Sequence, residues 1–235
     1  MPTTKELHVT AAGVYEHVLN ELIPIFTKES GIAIRLTVLN AAGVVKRLEA
    51  KETVDVVLTS AAGIDHLVAG GLADRASSVE IGRMRLGVAV APGLPMPDLS
   101  TADLVRAVLL AAPHVAYIDP NGGGTSGPFI QKLFERIGVA DQMKQSGVLC
   151  KTGKDVVRAV ASGGATCGLT QASELIGATG VQFAGYLPAE LQVISVYSGA
   201  VVTQTHARDA AIGFIHFLKG PESAERFRKS GWDAG

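Results

Sequence analysis

The chain has 235 residues, 47% of them hydrophobic and 5% aromatic, with 27 glycines and a formal net charge of −1, and its mean hydropathy is +0.29. That length and apolar content suffice for a buried core in one or two domains, while the near-neutral charge without a basic stripe excludes a nucleic-acid footprint. No apolar run approaches the roughly 20 residues that a membrane helix needs, so a small-molecule partner is expected.

The opening segment MPTTKELHV enters a strand directly, without a signal-peptide apolar stretch. Location therefore stays open: periplasmic if a leader has been removed, cytoplasmic if the chain as given is complete. Strand patterns follow at residues 7–10, 34–38, 55–58, 86–91, 115–118, 148–150, 167–170 and 191–202, and helical spacing at 14–30, 44–51, 64–70, 100–110, 127–137 and 154–162. Two further helices, 206–219 and 222–229, are split by Gly220-Pro221, a stop followed by a first-turn proline. The first helix aligns Val14, Val18, Leu22, Ile25 and Phe26 on one side, and Pro24 inside it predicts a kink or break. Such alternation predicts an α/β fold whose mostly parallel sheets are covered on both faces.

One plain stretch recurs along this path: AAGV at 11–14, AAGV at 41–44 and AAGI at 61–64. None of its side chains can do acid, base, nucleophilic or metal chemistry, so its contribution must come from backbone. Each copy follows an apolar run and precedes a helical segment, which reads as a strand-to-helix turn. Small residues there let a ligand approach the unpaired amides and partial positive charge of a helix N-terminus, the makings of an anion site. The uneven spacing, 30 residues and then 20, marks repetition of a turn rather than of a module.

Mid-chain, YIDPNGGGTSGPFIQKLF places Gly122, Gly124 and Gly127 in a G-x-G-x-x-G pattern. Pro128-Phe129 stands where a phosphate-binding P-loop needs Lys and Ser or Thr, which argues against nucleotide hydrolysis. A dinucleotide site would want an acid at the end of the next strand, and Lys151-Thr152-Gly153-Lys154 stands there. Ser126 lacks the G-x-S-x-G elbow of a serine hydrolase. The six histidines show no metal spacing, and Cys150 and Cys167 are too few for a metal cluster and are expected to be buried and inert. No metal and no cofactor are expected.

At this point the order of motifs becomes informative. The strand-AAGV-helix start, VDVVLTSA, YIDPNGGGTSG, KDVVRAVASGGATCGLT and the closing FLKGPESAERFRKSGW together resemble periplasmic solute-binding proteins of the molybdate-binding group, over nearly the whole chain. The resemblance implies a type II bilobal Venus-flytrap protein: two doubly wound lobes joined by two hinge strands, lobe one being residues 1–82 plus 196–235 and lobe two 83–195. It further implies ligand capture in an interlobe cleft, a monomer, and the membrane subunits of an ABC transporter as partner. Carried onto this chain, the family's contacts fall at Gly13, at Ala41-Ala42 after Asn40, at Ser126, at Val156 and at Gln171. Beside them, the expected donors are backbone amides at Ala12, Gly13, Ala42, Ser126 and Val156 and side chains at Asn40, Ser60, Thr125 and Gln171, with Ala41 and Gly127 also in the ligand-binding set. Arg83, near a hinge, could clamp a carboxylate bidentately, and Ser195 lies near the other hinge.

The sequence departs from the molybdate pattern at Gly13, at Asn40-Ala41-Ala42 and at Gln171, where that group offers two serine hydroxyls and a tyrosine. Lost donors would leave oxyanion oxygens unpaired at about 1 to 3 kcal/mol each. The expectation is therefore a roomier pocket for a larger anion, an organic carboxylate, held reversibly and without catalysis. The rivals are a cytoplasmic metabolite sensor, a small-molecule enzyme that is either dinucleotide-dependent or an isomerase, and the effector-binding half of a transcriptional regulator. Against an enzyme, no paired acid and base stands at a recognisable spacing. Against a regulator, no helix-turn-helix precedes Leu7.

Overall fold

The structure, a computed structural model, describes residues 6–234. Its strands are β1 (Glu6–Ala12), β2 (Ala33–Leu39), β3 (Val56–Ser60), β4 (Val79–Val90), β5 (Val115–Ile118), β6 (Gly147–Cys150), β7 (Cys167–Gln171), β8 (Gln182–Tyr186), β9 (Ile194–Val201) and β10 (Trp232–Ala234). Its helices are α1 (Glu16–Ser30), α2 (Ala41–Glu49), α3 (Ala61–Ala69), α4 (Ala102–Ala111), α5 (Gly127–Arg136), α6 (Ala140–Ser146), α7 (Gly153–Ala161), α8 (Ala172–Leu175), α9 (Arg208–Lys219) and α10 (Pro221–Lys229). The chain forms two compact units, one running to Arg83 and resuming at Val196, the other Met84–Ser195. Strands β4 and β9 carry the chain out of the first unit and back into it. No helix among the described residues is long and apolar enough to cross a membrane.

In the first unit β1 is central, parallel to β2 on one side and to β3 on the other, with β9 antiparallel beyond β3. A parallel strand needs both faces covered, and β1 supplies buried Leu7, Val9 and Ala11 on one face and Thr10 and Ala12 on the other. The 3-10 turn Gly13–Tyr15 follows β1 and buries Tyr15 completely. Its ring lies edge-on to Tyr197 and Phe227 and 4.8 Å from the Trp232 centroid, and its hydroxyl donates to the Ser198 carbonyl at 3.2 Å. Strand β10 pairs with β4, and a Cβ on Gly82 would lie 2.9 Å from the Asp233 carbonyl oxygen, so glycine lets the two backbones meet.

The second unit repeats the plan. Strand β5 is central and parallel to both β6 and β7, and β4 joins antiparallel to β7 and to β8. The alternation along β5 divides the core. Val115 and Tyr117 pack with Leu86, Leu133, Phe134 and Leu169, whereas Ala116 and Ile118 pack with Val156 and Val160 of α7.

This is the mixed α/β architecture expected, with four additions and one correction. The additions are the helices α6 and α8 and the strands β8 and β10, of three to seven residues, which carried no recognisable period. Proline does not break α1: the helix runs through Pro24 and closes at Gly31 with left-handed φ of 72°. Its buried face of Val18, Leu19, Leu22 and Phe26 is worth more than the backbone bond that proline removes.

Close packing of α7 on β7 depends on Gly168, whose Cβ would lie 2.6 Å from Val156 Cγ1 and 3.0 Å from Val160 Cγ2. Both neighbours are β-branched and stiff in a helix. Gly168→Ala is expected to lower the unfolding free energy by about 1 to 3 kcal/mol, seen as a lower urea midpoint with unchanged slope; an unshifted midpoint would contradict this packing.

Candidate functional site

In each unit three parallel strands, ordered second, first, third, send their carboxyl ends to one sheet edge. There the strand order reverses, and helices leave to either side, the place where open α/β sheets bind ligands. The first unit's edge holds the turns after β1, β2 and β3. The second unit's edge holds those after β5, β6 and β7.

The recurring AAG resolves into two local structures. Ala11 and Ala12 finish β1, and Gly13 opens the 3-10 turn. The second and third copies are instead the first three residues of α2 and α3, with Asn40 and Ser60 as N-caps. Asn40 Oδ1 accepts from the Gly43 amide at 2.8 Å, and Ser60 Oγ accepts from the Gly63 amide at 3.2 Å. The glycines make room for those caps: a Cβ on Gly43 would lie 3.1 Å from Asn40 Oδ1, and one on Gly63 would lie 2.9 Å from Thr59 Cγ2. Capping uses the third amide of each helix, so Ala41 and Ala42, and Ala61 and Ala62, carry the first two amides, which have no acceptor within the helix. Sequence reasoning missed Thr59, fully buried beside this cap with a hydroxyl that lacks a partner among the described residues. Its strand position gave no signal.

In the second unit the glycine-rich loop is a structural wrap. Asn121 N–H donates to Asp119 Oδ1 at 2.9 Å and Gly122 N–H to the Asp119 carbonyl at 3.0 Å. Gly123 takes φ of 80°, which only glycine adopts freely, and a Cβ on Gly127 would lie 2.6 Å from the Asp119 carbonyl oxygen. These contacts account for the glycines without a dinucleotide. Helix α5 then starts at Gly127 behind buried Ser126, whose hydroxyl makes no capping bond, with Thr125 half-buried before it. Pro128 has no N–H, leaving Gly127 and Phe129 as first-turn donors.

Two expected contacts are otherwise engaged. The Val156 amide donates to the Thr152 carbonyl at 3.2 Å, because Thr152 caps α7 and Val156 stands fourth, where intrahelical bonding begins. Arg83 is paired at 2.8 Å with Glu80 on an exposed surface. Gln171 does end β7 at the sheet edge, 2% exposed. Its Nε2 donates to Ser195 Oγ at 3.2 Å, while its Oε1 has no partner among the described residues.

Charge at the helix starts separates these turns from the rest of the fold. Among the described α-helices, α1, α4, α6, α7, α8, α9 and α10 each carry Asp or Glu in the first turn. Helices α2, α3 and α5 carry none. A first-turn carboxylate neutralises the positive end of a helix, and the three helices that start at the carboxyl edges of β2, β3 and β5 have none of their own.

Nucleophilic and metal chemistry find no support in the same residues. Burial pushes the Cys150 thiol up to about 11, helped by Asp155, and burial alone pushes Cys167 up to about 12. Both cysteines are free, on strands separated by β5. No group of three or more His, Cys, Asp or Glu among the described residues could hold a metal ion.

A model of the bacterial extracellular solute-binding protein family matches residues 7–233. An aconitate isomerase from a Pseudomonas species is 29% identical over 231 residues, 96% of this chain and 86% of that protein. The periplasmic molybdate-binding protein of Azotobacter vinelandii superposes with a TM-score of 0.84 at 19% identity, over 97% of this chain and 99% of that one. PEB3 of Campylobacter jejuni, solved with L-phospholactate bound, gives a TM-score of 0.75 at 12% identity over 97% and 100% of the two chains. These solved structures share the fold.

Capping and ligand contact make different demands on Asn40 and Ser60. As caps, Asn40→Ala and Ser60→Ala should each cost about 1 kcal/mol of stability in ligand-free protein, measured by urea unfolding. Two unchanged midpoints would show that the caps seen at Gly43 and Gly63 contribute nothing.

Proposed function

The chain belongs to the bacterial extracellular solute-binding protein family, and from that membership we propose that it reversibly binds a small organic polycarboxylate through its carboxyl-edge turns, as the solute-receiving component of an ABC-type transporter. The observation that carries this reading is the missing first-turn acid on α2, α3 and α5, against its presence on every other described α-helix. The first-turn amides at Ala41, Ala42, Ala61, Ala62, Gly127 and Phe129, which have no acceptor within their own helix, can donate to carboxylate oxygens, and these charge-assisted bonds are among the stronger ones. Ala12 and Gly13 are assigned to the first unit's edge, where small residues allow close approach, and Thr125 and Ser126 to the second unit's edge, where hydroxyls donate.

The side chains favour an organic acid over a compact tetrahedral anion. Gly13, Ala41 and Ala42 offer no hydroxyl, and Gln171 offers an amide already engaged with Ser195. The molybdate-binding relative has 19% identity, whereas a relative named for a tricarboxylate has 29%. A tricarboxylate at 1,000 times its dissociation constant adds about 4 kcal/mol of stability, a rise in melting midpoint on the order of 8 to 16 °C for a chain of this size. Di- and tricarboxylates are expected to raise the midpoint. A rise with molybdate, tungstate or sulfate and none with carboxylates would sink the reading.

The same 29% relative favours a second reading, turnover of a tricarboxylate. Proton NMR of cis-aconitate with one-hundredth of an equivalent of protein, a ratio of about 0.01 chosen so that binding alone leaves the spectrum intact, separates the two. Conversion to the trans isomer would establish an enzyme; an unchanged spectrum over a day, with a raised melting midpoint, leaves binding alone.

A further inference from the structure

The N-terminus of α7 differs from those of α2, α3 and α5. It carries Thr152 and Asp155 in a reciprocal capping box, with Thr152 N–H donating to Asp155 Oδ2 at 3.1 Å and Asp155 N–H to Thr152 Oγ1 at 3.2 Å. A second carboxylate reaches it from another element. A Cβ on Gly153, the first residue of α7, would overlap the carboxyl group of Glu174. Glycine thus lets that carboxyl lie directly against the helix start. Thr170 Oγ1 fixes it there by donating to Glu174 Oε2 at 2.6 Å.

One residue from Thr170 stands Gln171, whose buried Oε1 is an acceptor with no donor among the described residues. The carboxyl end of β7 therefore presents two acceptors, a carboxylate and an amide oxygen, where a fully ionised tetrahedral oxyanion would need donors. Such an ion has only acceptors, and a resident negative charge repels it. An unpaired buried acceptor against it would cost still more.

We propose that Glu174 is a specificity-determining residue: an internal carboxylate seated on the α7 N-terminus that occupies the place of a ligand oxygen and turns simple oxyanions away. This rests on the polycarboxylate reading for its setting, though its test is separate. An organic acid can give a carboxylate to the donors of α5 in the same unit and meet Glu174 and Gln171 with a hydroxyl or a protonated carboxyl. Molybdate has no such group.

The test is titration calorimetry of molybdate and of citrate into the full chain and into Glu174→Gln, which keeps shape and removes charge, with Glu174→Ala as the second variant should the first fail to fold. Wild type is expected to bind molybdate at least tenfold more weakly than the variant does. A gain below threefold in whichever variant folds overturns the assignment. If wild type ignores citrate and all other carboxylates while the variant takes up molybdate, Glu174 keeps its role and the polycarboxylate reading fails. If wild type binds citrate and the variant gains no molybdate affinity, the reverse holds.

Discussion

The first amides of an α-helix have no acceptor within the helix, and what each helix does with them organises this protein. Parallel strands send every following helix away from the same sheet edge, so the amides of successive helices collect there. The chain answers most of those positive ends with its own carboxylates. Three it leaves without one, and all three lie at the carboxyl edges of the parallel strands.

That selectivity explains the plain residues at the turns. At α2 and α3 the alanines keep side chains out of the way of the first two amides, and the glycine third in line leaves room for the Asn40 and Ser60 caps. At α5 the Asp119 backbone fills the space a side chain on Gly127 would need, and Pro128 removes a donor at no cost to the helix. Packing and ligand approach ask for the same small residues. Composition at a turn therefore cannot separate the two, whereas charge in the following helical turn can.

Much of the fold was legible because its signals are local. The strands that lie within a few residues of their expected bounds include β1, β3, β5 and β7, apolar runs buried on both faces, and the edge strand β2, whose residues are only half-buried or exposed, and the helices between them carry a buried stripe. Strand β4 proved longer than its apolar end at 86–91, since its first residues alternate with charge along Glu80, Arg83 and Arg85. Strand β10 was hidden because its pairing partner lies about 150 residues earlier in the chain, a separation no local period reveals. Pro24 misled for the opposite reason: a strong local rule gave way to a buried helix face.

For the candidate site, the sequence by itself pointed to the turns to consider, through AAG repeated after apolar strands. Only the tertiary structure decided which amides are spent. Val156 lies one position too far into α7, and Arg83 is engaged by Glu80. The seating of Glu174 on the start of α7 was invisible, since its neighbours Gly153 and Thr170 lie on α7 and β7 and nothing in the segment SELIG marks it. The physical reason is range. A cap or a helical stripe is fixed by residues three or four apart, whereas the neutralising of one helix's dipole by a carboxylate from another element exists only after the sheet has brought them together.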